Sequence, residues 1–80
     1  MKTNLNREII TEYDAVEFLT ELHENHEDFH PEDDAHDIVW RNLKVPPTSA
    51  ECDQLNKLMD QIYENTDIDP CEILVNLSNQ

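Results

Sequence analysis

The chain has 80 residues, 19 of them Asp or Glu against five Lys or Arg, giving a formal net charge of −14, and it contains no glycine. A domain this short buries only about 60% of its unfolded surface, which leaves little room for an enclosed catalytic cleft. The charge opposes direct binding to nucleic acid or to an anionic membrane, and the missing glycine opposes tight hairpins and phosphate-cradling loops.

Residues 1–8 are polar and hold Lys2 and Arg7; with Ile9 and Ile10 they read as a flexible N-terminal tail, 1–10, ahead of a single helical domain at 11–80. No apolar run of signal-peptide or membrane-spanning length occurs, so the expected location is the cytoplasm. Thr11 with Asp14 three residues later resembles a capping box, with Ile10 placed to staple onto Ala15. The first helix is therefore expected over 12–27. Ala15, Phe18, Leu19, Leu22 and His26 recur on one side of it, which faces the core. On the other side Glu17, Glu21, Glu24 and Asp28 form a stripe about 16 Å long at 1.5 Å per residue. Like charges one turn apart cost about 0.2–0.5 kcal/mol per pair. No lysine or arginine in the helix offsets them.

A second helix is expected over 31–43. Pro31 suits a first helical position, and Glu32, Asp33 and Asp34 would complement the positive end of the helix dipole. Ala35, Ile38, Val39 and Leu43 would make its apolar side, with Trp40 at the edge. Val45-Pro46-Pro47 bars further helix. Thr48-Ser49-Ala50-Glu51 is a second capping box and opens a helix over 49–65, with Cys52, Leu55, Leu58, Met59, Ile62 and Tyr63 on one side. Asp69-Pro70-Cys71-Glu72 supplies an N-cap and a first-position proline for a last helix over 70–78. The expected fold is all-α: a small bundle of four short helices. In Phe29-His30-Pro31-Glu32-Asp33-Asp34-Ala35, in Glu51 through Met59 and in Asp69-Pro70-Cys71-Glu72, the chain resembles short, acidic, uncharacterised all-helical bacterial proteins. That resemblance implies an intracellular helical protein and carries no functional residues with it.

Three constellations bear on function. His23, His26, His30 and His36 fall within fourteen residues, and imidazoles one turn apart can share Zn²⁺ with Asp33 or Asp37 as oxygen ligands. The competing reading is a neutral core residue at His26 and a helix boundary at His30. Cys52 and Cys71 lack CxxC spacing and read as reduced thiols used as small apolar residues. No catalytic motif is present, and the chain is expected to be neither an enzyme nor the holder of a cofactor other than such a Zn²⁺ site. The remaining reading is a binding surface of Glu17, Glu21, Glu24, Asp28, Glu32, Asp33 and Asp37, with Trp40 as anchor. It would meet a basic protein, with mimicry of nucleic acid as one form of that contact. Self-association would be a third way to cover apolar surface.

Overall fold

Two threonines start the two long helices by the same local chemistry. In the computed structural model, which describes residues 2–25, 30, 33–40 and 45–79, α1 spans Glu12–Glu24, α2 spans Ser49–Asn65 and α3 spans Pro70–Ser78. The Thr11 hydroxyl accepts from the Asp14 N–H at 3.2 Å, and the Asp14 carboxylate accepts from the Thr11 and Ile10 N–H groups. Those backbone donors, Thr11 first, hold the Asp14 carboxyl below its usual range. Thr48 and Glu51 repeat the exchange at α2. At α3 the Asp69 side chain accepts from the Cys71 N–H, and Pro70 occupies the first turn, fully buried. Thr66 ends α2 in extended conformation, its hydroxyl donating to the Ile62 carbonyl at 2.7 Å and accepting from the Ile68 N–H.

The apolar stripes fix what meets what. Ala15, Phe18, Leu19 and Leu22 of α1 and Cys52, Leu55, Leu58, Met59 and Ile62 of α2 are all buried and belong to one core. Each large side chain so removed from water contributes about 1.5–3 kcal/mol. α3 packs against α1 and lends Ile73 and Leu74 to the rim of the core.

Residues 3–9, expected as a tail, are instead a strap across both long helices. Thr3 is buried and accepts from the Asn25 side chain at the C-terminal end of α1. Farther along, the Leu5 carbonyl accepts from Gln54, the Ile9 N–H donates to Gln61 at 2.8 Å, and the Ile9 carbonyl accepts from Asn65 at 2.7 Å. The strap thus runs against the direction of α1 and along that of α2. Ile9 has no exposed surface, whereas Ile10, the expected staple residue, is 61% exposed. The strap stays because its backbone groups find partners and its apolar side chains are buried.

The expectation of four helices is overturned: among the described residues there are three helices and no strand. Within the expected helix 31–43, Asp34–Asp37 form a turn closed by the Asp37 N–H on the Asp34 carbonyl at 2.8 Å. The Asp34 carboxylate accepts from the His36 N–H two residues on, the turn that aspartate makes in competition with helix. Asn56 of α2 then takes the Ala35 N–H at 3.0 Å and donates to Asp34. Downstream, Ile38 and Trp40 lie half-buried against the core while Val39 between them is 70% exposed, the alternation of extended chain. Residues 31, 32 and 41–43 of that expectation, and 26–27 of the first helix, lie outside the described residues.

Candidate functional site

On α1, 100° per residue sends Tyr13, Val16, Glu17, Thr20, Glu21 and Glu24 to the side opposite Phe18 and Leu22. Those six side chains line one shallow, open groove of about 340 Å³. Tyr13 is 75% exposed and Val16 is exposed as well, so the groove sets an aromatic ring and a β-branched side chain among three carboxylates.

The three carboxylates differ in what engages them. Glu21 is half-buried, accepts from the Asn4 N–H at 2.7 Å and pairs with the Arg7 guanidinium. The Asn4 N–H, with help from Arg7, holds the Glu21 carboxyl below the usual glutamate range. Arg7 in turn donates to the Asn4 carbonyl and lies over the Phe18 ring, 5.4 Å from its centroid. Among its described members, Glu17, Glu21 and Glu24, the acid stripe is therefore offset once, by an arginine from outside the helix. Among the described residues, no ion pair or side-chain hydrogen bond engages the Glu17 or Glu24 carboxylate.

The other expected binding residues lie elsewhere. Asp33 and Asp37 are exposed on and beside the turn, and Trp40 is half-buried against the core. Asp28 and Glu32 lie outside the described residues. Sequence reading missed Arg7, Tyr13 and Val16. The signal for Tyr13 and Val16 was present: large apolar residues three apart on the acidic side of an amphipathic helix have no place in the core.

Among the described residues, His23, His30 and His36 form no metal-holding group. His23 is half-buried on α1, His30 is exposed, and His26 lies outside the described residues. His36 Nε2 is 2.8 Å from the Asp53 carboxylate of α2. That bond first, then the charges of Asp53, Asp34 and Asp37, raises the His36 pKa above its ordinary value. Asp34 is held low, chiefly by the His36 N–H and Asn56. Among the described residues, no cluster of three or more His, Cys, Asp or Glu side chains is disposed to hold a metal ion. Burial, followed by the nearby Asp53, Glu51 and Asp34, pushes the Cys52 thiol up, and it donates to the Ala35 carbonyl. A thiol so placed stays protonated and is a poor nucleophile at neutral pH.

No helix among the described residues is long and apolar enough to cross a membrane. Compared with protein-family models, with curated proteins and with solved structures, the chain matches none.

Proposed function

We propose that this protein is a non-enzymatic, cytoplasmic interaction module that binds a basic protein surface through the outward face of α1. The observation that carries the reading is the groove itself. Among the described residues, Glu17 and Glu24 stand without an ion pair or side-chain hydrogen bond, four before and three after Glu21, with Tyr13 and Val16 exposed beside them. Charged residues with no internal role, next to apolar residues with none, fit recognition better than folding. An open groove also leaves water at the carboxylates, which suits association and not acid–base catalysis.

Charge sets the partner's sign. At a net charge of −14, encounter with a Lys- and Arg-rich surface is accelerated, and encounter with another polyanion is opposed. Carboxylates on neighbouring turns lie about 5–6 Å apart, comparable to phosphates along one strand, so a site built for nucleic acid is one surface that such a face would occupy.

Salt-graded affinity capture tests the proposal. Basic proteins retained by the full chain at about 50 mM salt should be released by about 500 mM, where the screening length falls below about 5 Å. The double variant Glu17→Lys, Glu24→Lys should lose them at every salt concentration while keeping its helical circular dichroism. Capture that is indifferent to salt and to both substitutions would rule out an electrostatic surface on α1.

A further inference from the structure

α1 already holds one arginine, and it shows what such a receptor is made of. Phe18 offers a ring and Glu21, one turn later, offers a carboxylate. The Arg7 guanidinium is shared between them, lying over one and paired with the other. Planar guanidinium satisfies both demands at once, which the compact ammonium of lysine does less well. That receptor is filled from within the chain.

The outward face carries the same two groups again. Tyr13 and Glu17 are also one turn apart, and side chains on a helix lean toward its N-terminus, so a carboxylate at the later position reaches over the earlier ring. Both line the groove. Here the ring is 75% exposed, and no described side chain covers it as Arg7 covers Phe18. Glu24, two turns past Glu17, gives a second carboxylate about 10 Å along the helix, also with no ion pair among the described residues. Val16 and Thr20 line the same groove.

We infer that the Tyr13–Glu17 pair is a receptor for an arginine supplied by a partner protein, and that the partner segment carries a second cation about 10 Å away to meet Glu24. The inference rests on the proposed basic-partner reading and narrows it from positive charge in general to guanidinium. A segment with two arginines three residues apart in extended conformation, or seven apart in a helix, spans that distance. A small apolar residue between them would sit on Val16.

The experiment compares two capped peptides on the full-length protein, Ac-Arg-Ala-Leu-Arg-Ala-NH₂ and its lysine counterpart, by amide chemical-shift titration at low salt. The arginine peptide should move resonances from Tyr13 to Glu24 and bind more tightly than the lysine peptide by about threefold or more, the worth of a stacked guanidinium at an exposed site. Tyr13→Ala should remove that preference while leaving a weak salt-dependent association. Glu17→Gln should weaken both peptides, and neither position is buried, so the fold should survive. Equal affinity for arginine and lysine peptides, with shifts still confined to α1, would overturn the guanidinium receptor and leave the acidic surface standing. Shifts scattered over the whole acidic exterior, or no binding by either peptide, would overturn both.

Discussion

The strap at residues 3–9 and the turn at residues 34–37 dock on opposite flanks of α2, and they are held by different means. Gln54, Gln61 and Asn65, spaced seven and four, form a stripe along one edge of the helix's apolar side, and they grip the strap's backbone. Cys52, Asp53 and Asn56 stand along the other edge and grip the turn. The strap also buries Thr3 and Ile9 and half-buries Leu5, whereas Ala35 is the one fully buried residue of the turn. Anchorage of the strap combines backbone hydrogen bonds with a large buried side chain, Ile9; anchorage of the turn is largely polar. One helix can thus organise two irregular segments, provided each edge of its apolar stripe carries donors and acceptors for backbone.

Deleting the deepest anchor of the strap should have the largest effect. Ile9→Ala should cost about 2–5 kcal/mol, a large share of the stability of a domain this size. Ile10→Ala, one residue away but exposed, should stay within about 0.5 kcal/mol. Urea midpoints measure both, and equal effects would mean that the strap is not part of the core.

Asn56→Ala should cost less, about 1–3 kcal/mol, because it strips a partner from the Ala35 N–H and from Asp34. Trp40 lies a few residues beyond the turn, so its fluorescence should shift to the red in this variant. Asn65→Ala removes a single bond to the Ile9 carbonyl and should cost about 1 kcal/mol without moving the Trp40 spectrum. A red shift in both would show that the two flanks are coupled.

The smallest effects come from titration, and they carry opposite signs. The His36 pKa is raised by Asp53, so the turn's contact is fully present below the ordinary histidine value and is lost as pH rises above it. The Glu21 pKa is lowered by the Asn4 N–H and Arg7, so the strap's contact is present above the ordinary glutamate value and is lost as pH falls below it. Asp53→Asn should flatten the alkaline side of a stability–pH profile, and Arg7→Gln should reduce the slope on the acid side. A profile unchanged on its respective side by either substitution would remove that ion pair from the account.

The parts of the fold that were legible in the sequence are those decided within a few residues. Thr48 with Glu51 and Asp69 with Pro70 carry their own instructions, and α2 and α3 stand at Ser49–Asn65 and Pro70–Ser78. The segment after Pro31 was misread because its local signal is ambiguous. An acidic cluster complements a helix dipole, but aspartate also closes turns on its own backbone. Here the decision falls to Asn56, some twenty residues away. The strap went unseen for a related reason. A polar opening segment resembles a tail until one notices that Gln54, Gln61 and Asn65 share a helix edge, amides placed to receive a backbone. Glu17, Glu21 and Glu24 were legible as a stripe, since helical spacing alone puts them there. Arg7's place on Glu21 was not, because it depends on the strap.

The amide stripe on α2 has a further effect. Gln54, Gln61 and Asn65 bear no formal charge, so the seam they close with the backbone is indifferent to the counterions that would tune a contact made by Glu17 or Glu24. The Arg7–Glu21 pair, which ties the same strap to α1, has no such shelter. Added salt would therefore slacken the strap where it crosses α1 and leave it fastened to α2.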